Sequence, residues 1–331
     1  MGDSSVQGSW LEIVDGGVST TVQDLGRPGY YAMGLPPSGA MDRASFAMAN
    51  ALVGNEPGAA VLEATFNGPV VCFRSPTFFA VAGADVHLDL DGVPIPAHTC
   101  LAASAGQTLS VGVARRGVRS YLAVRGGIEV PVVMGSRSTY LSSAIGGHHG
   151  RAVTHGDRLA IGTDTAGAAR VGRSVPSRLL PHLGHDAVVR VVPGLCDYRL
   201  SETGLAVLYG ERFEVSVEAN RMGIRFTGPP LEFVPRIPPF GAGDDPSNVV
   251  NLGYPLGSIQ APSGVELICL MRDAVTGGGY ATVGTVIGAD LDRLAQLAAP
   301  DTVTFVPVSM ETGLAERAHL AARIEQIRAL A

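Results

Sequence analysis

Four polar, glycine-framed segments hold the residues whose types and spacing could do chemistry. In the first, Gln23, Asp24 and Arg27 place an amide, a carboxylate and a guanidinium in one turn, and Pro28-Gly29 keeps it a loop. Arg27 could clamp a carboxylate or phosphate with its bidentate fork while Asp24 orients it, or the two could form a structural pair that pins the loop. In the second, Gly135-Ser136-Arg137-Ser138, the backbone N–H groups of the turn could cradle an anion with Arg137 supplying the charge. A capped turn with a surface arginine is the alternative. The third, Asn220-Arg221, follows a strand-like run; Arg221 could hold a substrate anion, and Arg225 could do likewise or cover apolar surface. Interior scaffolding would use the same residues.

The fourth segment runs from Gln260 to Tyr280. Asp273 ends an apolar stretch, and Thr276, Gly277, Gly278 and Gly279 follow it. A carboxylate at a strand end beside unhindered backbone donors could act as a base, bind Mg2+ or steer an oxyanion. Glycine there allows a ligand to approach the backbone closely, although a turn that needs positive φ would also select it. Elsewhere, Asp42 reads as a helix-start residue and Glu63, inside VLEAT, as an outward-facing residue, with a site carboxylate as the alternative. His148 and His149 are adjacent, but no third ligand lies at supportive spacing, so no metal site is expected. Neither a serine-hydrolase elbow nor an HExxH motif occurs. No nucleophile–base pair of familiar spacing is visible in the chain.

What positions these turns reads as mainly β. Many Gly and Pro residues fall between short β-branched runs, giving candidate strands at 11–14, 70–74, 78–82, 86–90, 109–113 and 119–124. A second series lies at 188–192, 205–209, 213–217, 265–271, 281–286 and 303–308. GQTLSVG, GDRLAIG and PDTVTFV each put a turn ahead of an alternating run, which is ordinary hairpin chemistry. Helices are expected after Asp42, after an N-cap at Asp290, and in the tail from 311. The architecture expected is two β-barrel-like lobes: an N-terminal lobe over 9–165, a linker over 166–184, a C-terminal lobe over 185–310, and a C-terminal helix over 311–331.

Composition removes several function classes. With 46% hydrophobic and 16% charged residues the chain can bury a core, and a formal net charge of -6 without a basic stripe argues against nucleic acid. All basic residues are Arg; no Lys occurs. The chain thus has no Schiff-base lysine, no P-loop lysine and no site for lysine-linked biotin, so such a cofactor must arrive on a partner. The four cysteines form no CxxC pair, and the three in apolar runs, Cys72, Cys100 and Cys269, read as reduced core thiols. MGDSSVQGSW does not read as an export signal, and no apolar run is long enough to span a bilayer, so the cytoplasm is the expected location with no membrane partner.

The ordered set TTVQDLGRPGYYAMGLPPSGAMD, AVLEATFNGPV, YLAVRGGI, VMGSRSTY, GGHHGRAVTHGDRL, ANRMGIRFTGPPL and LGSIQAPSGVELICLMRDAVTGGGYATVGTVIGADLDRLAQL resembles one family over roughly residues 10 to 309. That family contains the C-type subunit of 5-oxoprolinase, the kinase-inhibitor antagonist KipA, allophanate hydrolase subunit 2 and the carboxyltransferase part of urea carboxylase. The resemblance implies a cyclophilin-like β-barrel architecture. It also implies a B-type partner subunit, with an A-type subunit as a further member, and a small amide or urea-like substrate. In one branch ATP with Mg2+, shared with the partners, drives ring opening of 5-oxoproline to glutamate. In the other, biotin on a separate carrier donates a carboxyl group to urea; a KipA-like regulatory binding protein is a third reading. On this resemblance Asp24, Asp273 and Thr276 are the candidate catalytic residues. Gln23, Arg27, Ser136, Arg137, Asn220, Arg221, Gln260, Gly277 and Gly278 are candidates for binding substrate or phosphate. Two departures bear on the branch: the oxoprolinase pattern D-x-Q-T-T-G-G-Y has Val275 in place of Gln and Gly277 in place of Thr. Asn251 stands where the urea carboxylase type has an acid, while GSIQAP fits the oxoprolinase type.

Overall fold

A computed structural model describes residues 8–163, 165–237 and 240–330. The export-signal reading of the first seven residues, and Asp164 and Ala331 at the edges of the expected linker and tail, lie outside them. The chain forms two compact units: Met1–Arg27 with Ser38–Leu183 and Ala322–Ala331, and Pro28–Pro37 with Gly184–Ala321.

The first unit is a barrel-like ten-stranded sheet. Its strands are β1 (Trp10–Asp15), β2 (Ser19–Gln23), β3 (Val61–Thr65), β4 (Val70–Phe73), β5 (Thr77–Leu90), β6 (Val93–Pro94), β7 (Leu101–Ala103), β8 (Thr108–Val124), β9 (Ile128–Glu129) and β10 (Arg158–Ile161). The main path runs β2-β3-β8-β4-β1-β10-β9, and β5 pairs with β6, β7 and β8. The Ile128 N–H donates to the Ala60 carbonyl, which rolls the end of the path back toward β3.

Period-2 alternation explains the layering, because both faces are covered. Phe79, Val81, Leu122 and Val124 enter one core with Leu11, Ile13 and Phe73. Their neighbours Ala80, Ala82, Tyr121 and Ala123 enter a second core beneath α1 (Arg43–Leu52). Asp42 caps α1, its carboxylate accepting from Ser45 N–H and Oγ. Pairs of runs expected as separate strands are single long strands here. Register shifts near Gly83 and Asp85 keep β5 on the β8 ladder through bulges. The expected linker belongs to this unit through Leu183. Val175 and Leu179 are buried in its second core, and Val175 N–H donates to the His98 carbonyl.

The second unit is a closed barrel of β11 (Asp186–Pro193), β12 (Arg212–Val215), β13 (Gly223–Thr227), β15 (Ser258–Gln260), β16 (Glu266–Leu270), β18 (Thr282–Val286) and β19 (Thr302–Pro307); β14 (Asn248–Gly253) and β17 (Gly277–Tyr280) form a separate two-stranded sheet. Phe213, Phe226 and Phe305 pack inside it with ring centroids 5.6–5.7 Å apart. The run 205–209 is not a strand. It lies in α2 (Glu202–Gly210), because Ser201 Oγ accepts from Gly204 N–H and starts a helix where an apolar run alone leaves helix and strand open. Asp290 precedes the short α3 (Leu291–Leu294) but does not cap it: its carboxylate takes Arg190 Nε and Nη2 at 3.0 and 2.6 Å. In α4 (Met310–Arg328) the last turns, with Ile324 and the fully buried Ile327, join the core of the first unit. All four cysteines are buried and free. Among the described residues no helix is long and apolar enough to cross a membrane.

Candidate functional site

In the first unit the structure brings two of the four polar turns together. β2 delivers Gln23, fully buried, whose amide donates to Thr21 Oγ1 and to the Thr139 carbonyl at 3.1 Å. Asp24 follows and becomes a hub. Its Oδ1 accepts from Gly26 N–H at 2.8 Å, Ser136 Oγ at 2.6 Å and Ser138 Oγ at 2.5 Å, and its Oδ2 from Arg137 N–H at 2.6 Å. Arg27 is 1% exposed and donates to the Ser138 carbonyl. Gly146 makes room for it: a Cβ there would lie 2.6 Å from Arg27 Nη2 and 2.2 Å from the Ser138 oxygen, at a φ of +68°. Arg27 and Asp24 thus hold the 136–138 turn from both sides. Arg137 projects from that turn, with Nη2 2.5 Å from Glu129 Oε1 and Nε on the Val130 carbonyl.

The other two turns meet in the second unit. Arg221 grips Asp273 through two parallel bonds, Nε to Oδ2 at 2.8 Å and Nη2 to Oδ1 at 3.0 Å, and both residues are buried. Asp273 N–H also donates to the Arg221 carbonyl, so backbone and side chains lock the same two segments. Both carboxylate oxygens of Asp273 are thus engaged by the guanidinium. Asn220 Oδ1 accepts from Met222 and Gly223 N–H groups. A groove of about 230 Å³ opens beside this pair, with Asn220, Gln260, Arg225 and Tyr280 as its polar wall and Ile268, Leu270 and Ala274 as its apolar wall.

Tyr254, which sequence reasoning missed, organises this groove. Its hydroxyl donates to the Tyr280 carbonyl at 3.0 Å and accepts from Tyr280 N–H at 2.7 Å. Burial raises its phenol above the ordinary value, while the bonds from Tyr280 and Gln260 pull the other way. Its N–H donates to the Thr276 carbonyl, and its carbonyl accepts from the Tyr31 hydroxyl at 2.5 Å. Gly278 packs closely here, since a Cβ would sit 3.0 Å from the Tyr254 ring and force the ring to give by a few tenths of an ångström. The available signal was an aromatic between glycine and proline in LGYPLG. Tyr254→Phe is expected to lower stability by about 1–2 kcal/mol, because it removes one hydroxyl from three bonds; urea unfolding followed by circular dichroism measures it.

Glu63 is not outward-facing. It is 1% exposed, accepts from Met41 N–H at 2.8 Å, and lies 4.0 Å from Arg119. The reason is that α1 covers the face of β3 that alternation alone would give to water. His148 reaches Asp157 at 3.3 Å, and Arg151 holds the same carboxylate.

Among the described residues no three His, Cys, Asp or Glu side chains gather as a metal site. The groove also suits nucleotide phosphates poorly. Arg221 is given to Asp273, and Arg225 to Glu266 at 2.8 Å and Glu218 at 3.5 Å. Asn220 and Gln260 set uncharged donors and acceptors against the apolar wall.

The sequence signature of the carboxyltransferase domain, subdomain A and B, matches residues 33–307. The chain is 34% identical over 317 residues to the C-type subunit of 5-oxoprolinase from Escherichia coli strain K12, covering 96% of this chain and 97% of that protein. It is 33% identical over 310 residues to urea amidolyase of Saccharomyces cerevisiae, covering 91% of this chain but spanning only 17% of that longer protein. The Kluyveromyces lactis urea carboxylase crystal structure superposes with a TM-score of 0.91 at 33% identity, over 98% of this chain and 30% of that one. On these matches the chain belongs to the carboxyltransferase domain family, subdomains A and B.

Proposed function

We propose that this chain is the C-type subunit of an ATP-dependent amide hydrolase of 5-oxoprolinase type, which opens 5-oxoproline to glutamate together with a B-type partner. The observation that carries this reading is the end-to-end match to the C-type subunit of a 5-oxoprolinase, 96% of one chain against 97% of the other. The groove agrees with it. Asn220 and Gln260 offer the donor and acceptor that a lactam N–H and C=O require. Arg225, at the groove's edge, is the cation for the substrate carboxylate, exchanging its longer contact to Glu218. Asp273, through Arg221, and Asp24, through Ser136 and Ser138, are positioning residues. ATP and Mg2+ rest with the partner subunits, and no step through them is assigned to this chain. The proposed location is the cytoplasm.

The superposition on urea carboxylase favours a second reading, a biotin-dependent carboxyltransferase component. A ureido ring offers the same donor and acceptor as a lactam, and a lysine-free chain would require biotin on a separate carrier.

Co-expression with B-type and A-type subunits distinguishes them. The chain alone should be inactive, and the purified complex should convert 5-oxoproline to glutamate only with ATP. A folded, co-purifying complex without turnover would sink the first reading. An avidin-sensitive transfer of the carboxyl group to urea from a carrier loaded with carboxybiotin, catalysed by the chain, would establish the second.

A further inference from the structure

A second cavity in the second unit shares no lining residue with the amide groove. It holds about 450 Å³ where the start of α4 meets the rim of the barrel, within the usual range of small-molecule sites. Gly313 lies closely against the barrel: a Cβ there would lie 3.2 Å from Ile287 and 3.6 Å from Val192. The walls are Val192, Leu256, Ile287, Met310 and Leu314, with Leu195 at the mouth. Three of these are left wet: Leu195 is 57%, Met310 57% and Leu314 52% exposed. Apolar side chains lining a concavity yet facing water are what an apolar ligand would cover.

One charge faces this cavity. Arg317, one helical turn beyond Gly313, is exposed and meets no carboxylate among the described residues. The neighbouring acids are committed elsewhere, Glu316 to Arg190 at 2.9 Å and Glu311 to Ser309. A single planar guanidinium above an apolar cavity matches a singly charged carboxylate, and no second cation lines the cavity to recognise a polyanion.

We propose that this cavity binds a small monocarboxylate with an apolar chain, its carboxylate on Arg317 and its chain between Ile287 and Leu314. The site is independent of the amide reading above and survives its failure. Gly288 provides the test, since a Cβ there meets nothing within 4 Å and its backbone is not in the left-handed region. Gly288→Leu therefore fills the cavity without straining the chain.

The probe is octanoate, titrated against the full chain by calorimetry and amide NMR, with 1-octanol as its uncharged counterpart. Octanoate should bind saturably and shift Ile287, Gly288 and Leu314. Arg317→Gln should weaken octanoate about fivefold, as expected for a partly exposed ion pair, and leave octanol unchanged. Gly288→Leu should abolish both, and Leu314→Gln, at an exposed position, should weaken both if the first variant folds poorly. No saturable binding, or binding that survives both cavity changes, overturns the site. Equal effects of Arg317→Gln on acid and alcohol overturn the carboxylate assignment.

Discussion

Asp273→Ala should destabilise the isolated chain by about 3–5 kcal/mol, the range for removing one member of a buried ion pair. Asp273 is 2% and Arg221 8% exposed, and two bonds of 2.8 and 3.0 Å join them. Truncating the acid takes a doubly bonded carboxylate from a nearly buried guanidinium, and that desolvated charge dominates the cost. The paired change Arg221→Met with Asp273→Leu should recover most of the loss, because removing both charges removes the penalty. Circular dichroism in urea reads this directly. Trp10, the single tryptophan, lies in the first unit, so its fluorescence serves as a separate reporter there. A carboxylate acting only as a base would behave differently, losing turnover in the complex while the isolated chain kept its unfolding midpoint. An unchanged midpoint in Asp273→Ala would therefore remove the positioning role.

Much of the fold was legible because it follows from local rules. Gly106 and Gly156 adopt φ of +89° and +84°, and β8 and β10 start two residues later, as the GQTLSVG and GDRLAIG patterns imply. The errors have two physical causes: a local cap that an apolar pattern does not show, and tertiary cover that overrides alternation. LAVLY is as apolar as a strand, and one serine cap turned it into helix. Glu63 alternates correctly on β3, but alternation cannot say that α1 buries the face it points to. The site was legible only in pieces. Each polar turn was recognisable from its glycines and charges, yet Asp24 and Ser136 are 112 positions apart and Arg221 and Asp273 are 52 apart. No spacing rule connects residues at such separations; the bond from Thr139 N–H to the Val22 carbonyl on β2 and the β13-β16 ladder do. Tyr254 escaped because its role is to bond a neighbouring backbone, which leaves no charge pattern to read.

The same logic gives Asp24→Asn an expected loss of about 3–4 kcal/mol, read as a fall in the urea midpoint of Trp10 fluorescence. The native carboxylate accepts from two hydroxyls and two backbone N–H groups, all at 2.5–2.8 Å. An amide of the same shape has one acceptor oxygen and an NH2 that must face donors. At least one backbone N–H or serine hydroxyl then stays buried without an acceptor, and bonds to a charged group, about 1.5–3 kcal/mol each, are lost from a network whose terms do not simply add. Ser136→Ala, which deletes one donor and leaves the carboxylate three others, should cost only about 1 kcal/mol. The ratio matters more than either value. If Asp24 is the hub, its loss must exceed that of any single donor, and Arg137, carried on the same turn, must lose its fixed place opposite Glu129. Equal, small effects of the two substitutions would mean that the turn is held by Arg27 and the β2 backbone instead, with Thr139 N–H on the Val22 carbonyl as the remaining tie.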